Sequence, residues 1–478
     1  MIRPLKNAGT IRVTITLSII AAGLLVVGLN ILAGCFKPPA LVATGDELER
    51  NFHAPPDSSR AWVYWFWLNG NVSKEGIPAD LEAMKRAGLA GALWMWGGGL
   101  GATTDKPVKL LSPEWWELMR HTIHEADRLG LRLNITNGSG WSHSGGPWVS
   151  AKNGMQILKL DSTFQWTGPC RMSSAIDRVT LVRVLAYPGE LQSAKAVDLT
   201  DKVDNSGWLT WDMPRGVWTV YVFSHVPTDD RPHPIAQQEG GWECDKLSPE
   251  AVEENWKGFV LRILNECGPE TRRVVRYVHV DSYEFGAATW TPSPLDIFQR
   301  RCGYNASPFL PALFTKVVDS PETSNRFQWD FRRLLADLFA EGIGGHFRDL
   351  AQAEGLKLTT EPHLVQGVFD HIQYGGHVSQ PVGNFHDKRG TAWYGSVPRV
   401  GPEVHLAKAE ASAAYTYGLD GVVWAEAFTG VDHPHAWHKN LDYLRTWGDL
   451  WLSEGINRFC FHCWPAVSTS SHRSSCSS

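Results

Sequence analysis

The feature that most constrains the fold is a run of large apolar residues, Trp62-Val-Tyr-Trp-Phe-Trp67. Side chains alternate across a strand, so a strand with one wet face alternates apolar with polar residues. This run does not alternate, as expected of a strand covered on both faces. Comparable runs recur at Ala92-Leu-Trp-Met-Trp96, Leu131-Arg-Leu-Asn-Ile-Thr136, Arg276-Tyr-Val-His-Val-Asp281, Leu356-Lys-Leu-Thr-Thr360, Val378 to Val382, Gly421-Val-Val-Trp-Ala425 and Arg458-Phe-Cys-Phe-His462. Helix signals lie between them. Ile77, Leu81 and Met84 share one helical face, with Pro78 at its start and Gly88 at its end. Ser112-Pro113-Glu114 and Ser248-Pro249-Glu250 each read as a cap followed by a first turn, and Pro402 to Gly418 is an Ala-rich helix. Eight parallel-type strands alternating with helices predict an α/β protein built on a (β/α)8 TIM-type barrel. An open doubly wound sheet is the rival, but no Gly-rich phosphate turn follows the first strand. Residues 155–240 break the rhythm with short alternating segments, such as Gly216-Val-Trp-Thr-Val-Tyr-Val222, and predict a small antiparallel β insertion.

The expected organisation follows. Arg3, Lys6 and Arg12 flank an apolar stretch from Val13 to Leu32, which ends in Leu32-Ala33-Gly34-Cys35. Residues 1–34 therefore read as a lipoprotein signal peptide and Cys35 as a lipidation site. The expectation is an exported bacterial lipoprotein held at the membrane, facing the periplasm or cell surface; an uncleaved signal anchor is the alternative. Residues 35–58, with Pro38-Pro39 and Pro55-Pro56, read as a linker. The barrel spans 59–154 and 241–465 around the insertion, and the Ser-rich 466–478 reads as a disordered or frameshifted tail. The net charge is −5 with no basic run, which removes the electrostatic footprint of a nucleic-acid binder. Nothing indicates a protein partner. Cys460-x-x-Cys463 is an isolated pair and reads as coincidence.

In a barrel, chemistry gathers at the C-terminal ends of the strands. Those ends carry Asn69, Trp96, Asn137 with Trp141 and His143, Asp281-Ser-Tyr-Glu284, Glu361 with His363, Asn384 with His386 and Asp387, and Glu426. Carboxylates, amides and aromatics suit a sugar, whose faces stack on rings and whose hydroxyls need donors and acceptors. The sequence also holds 23 Trp, more than its 19 Phe or 11 Tyr, which suits either sugar platforms or a large aromatic core. Glycoside cleavage needs two carboxyl groups across the scissile bond. Glu284 and Glu426, at strands four and seven, face one another across a barrel mouth and are the expected pair, with Glu361 as the spare and Asp281 as a cap or hydrogen-bond partner. Trp96 and Trp141 are the expected platforms. Asn69, Asn137, His143, Tyr283, His363 and His386 are the expected hydroxyl-binding residues.

Several longer segments carry a resemblance. Trp65-Phe-Trp-Leu-Asn-Gly-Asn71, Asp80-Leu-Glu-Ala-Met-Lys-Arg-Ala-Gly88, Asn137-Gly-Ser-Gly-Trp-Ser-His-Ser-Gly-Gly-Pro-Trp148, Asp281-Ser-Tyr-Glu284 with Trp290-Thr-Pro292, and Ala425-Glu-Ala-Phe-Thr429 resemble those of the glycoside hydrolase family 106 α-L-rhamnosidases. The likeness runs from about residue 50 to 462. It implies an interrupted (β/α)8 catalytic domain, an inverting reaction on terminal rhamnose of a glycan, Glu284 as general acid, Glu426 as general base, and a Ca2+ ion at the sugar hydroxyls. Family members usually continue into further β domains, whereas this sequence stops after the barrel. The family often has Glu where this chain has Asn384. Glu361, Asn384 and Asp387 are the candidate metal ligands, and an Asn oxygen ligates calcium without contributing charge. Two other readings stay open: a retaining β-glycosidase on a similar barrel, and a catalytically dead sugar-binding lipoprotein.

Overall fold

The computed structural model describes residues 45–99, 103–141, 144–189, 191, 195–234, 240–283, 288–362, 369–387, 402–430 and 440–466. At 386, 387, 402–406, 430 and 443 it describes the backbone alone. The chain divides into two compact units, residues 1–59 and 60–478. In the first, within the expected linker, Gly45–His53 forms a helix with no buried residue. No helix among the described residues is long and apolar enough to cross a membrane.

The second unit is the expected barrel. Its strands are β1 (Trp62–Leu68), β2 (Gly91–Gly97), β3 (Arg132–Ser139), β4 (Val275–Val280), β5 (Lys357–Thr360), β6 (Gln380–Asp387), β7 (Trp424–Gly430) and β8 (Arg458–Pro465). They pair in chain order, all parallel, and β8 returns to pair with β1. One carboxylate braces this seam. Trp65 Nε1 of β1 donates to Asp80 Oδ2 at 3.1 Å, and Trp464 Nε1 of β8 donates to Asp80 Oδ1 at 2.9 Å. The helices start where the caps predict. The Ser112 and Ser248 hydroxyls accept from the amides of Trp115 and Ala251, and Ser320 repeats the pattern with Thr323.

Period-two alternation sorts each strand's side chains into two cores. Trp65, Trp67, Trp94 and Trp96 point outward and pack among the helices with Trp115, Trp116 and Phe259. Trp62, Tyr64, Phe66, Leu93, Met95, Val382, Trp424 and Cys460 point inward and fill the lumen. The floor is an aromatic triad in which the rings of Trp62, Tyr277 and Trp424 meet edge to face, with centroids 5.1–5.4 Å apart.

Two strands begin later than the sequence predicts. The sixth is not 378–382 but Gln380–Asp387, and the seventh is not 421–425 but Trp424–Gly430. Pairing with neighbours sets these starts, since Val382 aligns with Trp424 and Trp424 with Arg458. Asn384 and Glu426 therefore sit within strands rather than in loops after them. A lumen-facing strand residue tolerates polarity, so apolar content alone ended the predicted strands too early.

The insertion between β3 and β4 is a four-stranded antiparallel sheet. Two 20-residue strands, Gln156–Ala175 and Trp208–Pro227, pair along their length, and Leu181–Pro188 and Val197–Asp198 extend the sheet. It has its own core around Met172, Val184, Leu209, Met213 and Val220.

Because Trp96 is wholly buried on the helix side of β2, Trp96→Ala is expected to remove about 3–5 kcal/mol of stability. Urea denaturation followed by far-UV circular dichroism checks this. An unchanged midpoint would place the ring outside the core.

Candidate active site

The upper lumen gathers acids from three strands around one tyrosine. On β4, Tyr277 and His279 face inward, and Asp281 continues that face. On β5, Thr359 faces inward and Glu361 continues it. On β7, Trp424 lies in the floor and Glu426 comes two residues later on the same face. Tyr64 of β1 donates its hydroxyl proton to Glu361 Oε1 at 2.7 Å. Burial, and then the neighbouring carboxylates of Glu361, Glu426 and Asp281, push the Tyr64 hydroxyl well above the usual phenol range. It therefore stays a proton donor at any ordinary pH. Burial and the same three acids, Glu426 foremost, also push the Cys460 thiol up. Glu426 thus shares one cavity with acids from β4 and β5. The Thr429 hydroxyl donates to Glu426 Oε1, which fixes the orientation of that carboxylate. Asn384 lies beside Glu426 in register and is buried.

A second set of residues supports the β4 end. Tyr283 is turned into the core, stacked on Phe339, so it does not offer its ring to a substrate. Its hydroxyl accepts from the Ala288 amide at 3.2 Å, which ties together the two flanks of residues 284–287. The fully buried Lys246 lies over the Tyr283 ring, with Nζ 4.7 Å from the centroid, and pairs with the equally buried Glu243 at 2.7 Å. Burial alone would lower the Lys246 pKa, but Glu243 and then Tyr283 together more than reverse this and hold it above the usual value. Next to it, burial pushes the Asp245 carboxyl up to about 7, despite hydrogen bonds from the Thr291 hydroxyl and the Leu247 amide. Gly342, in a π-helical turn, permits this packing: a Cβ there would stand 2.4 Å from the Lys246 carbonyl oxygen. Neither Lys246 nor Glu243 was singled out from the sequence. The one available signal was a charged pair three residues apart beside the Ser-Pro-Glu cap.

Comparison with known proteins decides the family. A family model described as alpha-L-rhamnosidase, that of glycoside hydrolase family 106, matches residues 53–178 and 172–471. The chain belongs to glycoside hydrolase family 106. It is also similar to a protein of Formosa agariphila named "Putative beta-glucuronidase", with 33% identity over 462 residues, covering 88% of this chain and 38% of that protein. Among solved structures it is similar to a rhamnosidase from Novosphingobium sp. PP1Y, with a TM-score of 0.77 and 25% identity, covering 88% of this chain and 56% of that one. The chain thus spans under two thirds of the length of both relatives.

Within this family 106 barrel the expected site residues separate. Glu361, Asn384 and Glu426 reach the lumen, and Asp281, expected as a cap or partner, joins them. Its carboxylate does accept from the Ser282 amide at 2.8 Å. Trp141 is half-buried at the mouth and packs on Phe66. Asn69 adopts positive φ and accepts from the Gly99 amide at 2.8 Å, which ties the loops after β1 and β2 together. Trp96 is a correction: it faces the helices and is no platform. Asn137 is buried, and the Asn255 side-chain amide donates to its main-chain carbonyl at 3.0 Å. Glu284, His143 and His363 lie outside the described residues, as do the side chains of His386 and Asp387.

Calcium takes about six to eight oxygen ligands. Among the described His, Cys, Asp and Glu residues, one group draws three ligand atoms together: His279, Asp281 and Glu361. Its two carboxylates are oxygen donors of the kind calcium takes, the side chain of the expected ligand Asp387 lies outside the described residues, and calcium carries no step of the mechanism below.

Lys246→Met leaves the Glu243 charge buried without its partner and is expected to cost about 3–5 kcal/mol. The double change Lys246→Met with Glu243→Leu is expected to recover most of that loss in chemical denaturation. If the double variant were no more stable than the single one, the pair would not be the source of the cost.

Proposed function

We propose that this chain is the catalytic barrel of an inverting α-L-rhamnosidase that releases terminal rhamnose from glycans. Glu284 donates a proton to the leaving oxygen, and Glu426 takes a proton from water attacking the opposite face of the sugar. The observation that carries this reading is the placement of Glu426. It is buried on the inner face of β7, oriented by Thr429, in a cavity shared with Asp281, three residues before Glu284. With Oε1 held by Thr429, Oε2 is left for the water. Membership in family 106 supports the rhamnoside as substrate.

The relative named for β-glucuronidase raises the question of a uronic acid substrate. A uronate carboxylate would enter a lumen already lined by Asp281, Glu361 and Glu426, and like charges at close range repel. A neutral deoxy sugar meets no such penalty. The apolar layer of Phe66 and Trp141 at the mouth suits the methyl group and ring face of such a sugar.

Glu284→Gln and Glu426→Gln are each expected to lower release from an aryl rhamnoside by at least about a thousandfold while preserving the fold. Proton NMR of the first-formed sugar is expected to show the inverted anomer. Near-normal turnover in either variant removes that residue from the mechanism, and a retained anomer removes the base role of Glu426. Turnover of aryl glucuronide in preference to rhamnoside overturns the substrate.

We also infer export and lipid anchoring at Cys35, from the charged start, the apolar stretch and Leu32-Ala33-Gly34-Cys35. Cys35→Ser is expected to abolish incorporation of labelled palmitate in cells and to move the protein out of the lipid-modified fraction. Undiminished labelling sinks this inference.

A further inference from the structure

The strand-end face of the barrel carries a further cavity, which the proposed reaction leaves unused. It holds about 580 Å3, within the size range of small-ligand sites. Its walls are the loop after β1, the loop after β2 and the start of the helix Pro113–Leu129. Close contacts fix these walls. The Val108 amide donates to the Gly70 carbonyl at 3.0 Å, and Gly70 adopts positive φ where a Cβ would stand 2.2 Å from the Val108 carbonyl oxygen. The Lys74 ammonium meets Glu117 Oε1 of the helix at 3.0 Å. Both loops leave the strand ends at which the acids of β4, β5 and β7 stand, so cavity and acids share one face of the barrel.

Asn71 belongs to this wall. It is only 3% exposed, yet its side-chain Oδ1 has no hydrogen-bond partner. Buried polar atoms are nearly always paired. Exchanging the two ends of the amide would put a nitrogen there, equally without a partner, so the position calls for a group that both donates and accepts. A hydroxyl does both. The rest of the lining fits the same chemistry. Two lysines and four carboxylates stand in it, so an anion and a cation would each meet like charge. Lys74 keeps donors beyond the one given to Glu117, and that hydrogen bond holds the Glu117 carboxyl below the usual range, so it accepts at neutral pH. Val72 and Leu118 supply apolar surface for ring C–H groups. We propose that this cavity holds a neutral sugar unit of the glycan chain, remote from the rhamnosyl bond that is cleaved. The proposal rests on the rhamnosidase reading for the nature of that chain.

The test is a length series. The full chain is given an aryl rhamnoside and rhamnose-terminated oligosaccharides from disaccharide to hexasaccharide, and kcat and KM are measured for each. In the wild type, KM is expected to fall at least about tenfold as the chain lengthens. Lys74→Ala removes an exposed side chain and is expected to abolish that fall, with kcat and both constants for the aryl rhamnoside unchanged. Asn71→Ala is expected to do the same, and if that variant does not fold, Lys74→Ala decides alone. A KM independent of length in the wild type, or the full fall retained in Lys74→Ala, would overturn the site. Equal losses on the aryl rhamnoside and on long chains would make these residues structural and overturn it as well. A wild type that cleaves no rhamnoside of any length overturns the rhamnosidase reading itself, and the sugar site with it, a result distinct from the others.

Discussion

Closure of the ring between β1 and β8 is the constraint on which everything else in the barrel depends. An open sheet would leave two rows of unpaired amides and carbonyls, and its two faces would both be wrapped by helices. Closing it converts one face into a lumen. The seam carries regular strand pairing together with the Asp80 carboxylate, which takes indole protons from both strands. That brace stands on the helix side, so it spends no lumen position on structure. Residues 62–67 could then devote alternate side chains to two environments: Val63, Trp65 and Trp67 outward, and Trp62, Tyr64 and Phe66 inward.

This division explains the tryptophan content. Most of the indoles described above are not sugar platforms; they fill the wide space between strands and helices, where a large flat side chain offers much apolar area for little lost conformational freedom. The lumen is graded instead. Its floor is aromatic, with Gln380 and Arg458 meeting the polar edges of Trp424 and Tyr277, its middle holds Tyr64, His279, Thr359 and Asn134, and acids stand above them. The lower layers position the upper one. Tyr64 stands on the floor side and reaches Glu361, and Thr359 bridges the β3 amide to the β4 imidazole.

Much of this was legible in the sequence. The strand order, the insertion and the caps at Ser112 and Ser248 follow from apolar runs and Ser-Pro-Glu signals that act locally. Glu426 was legible as an acid on the seventh strand, though not as a residue inside that strand. Trp96 was misread, because a tryptophan beside a glycine-rich loop looks like a platform until the parity of its strand is known. Parity depends on register, and register depends on pairing with strands far away in sequence. Tyr283 was misread for a related reason: its neighbour in sequence is Glu284, but its neighbours in space are Lys246 and Phe339. His279 was invisible as a site residue. In the sequence it is one polar letter in an apolar strand, and its meaning comes from Thr359, eighty positions away.

The chain buries charge in two ways, and the contrast indicates which is structural. Lys246 and Glu243 are opposite charges in direct contact, with the tyrosine ring and a backbone carbonyl completing the shell around the ammonium. In such a pair each charge offsets the other's loss of solvent. Asp281, Glu361 and Glu426 are like charges gathered around one phenol, which supplies a proton to one of them only. A fold selected for stability alone would replace that cluster with apolar side chains of similar volume. At the C-terminal end of a closed barrel the cluster stands where a ligand from solution enters. A sugar whose hydroxyls donate to these carboxylates would relieve part of that charge.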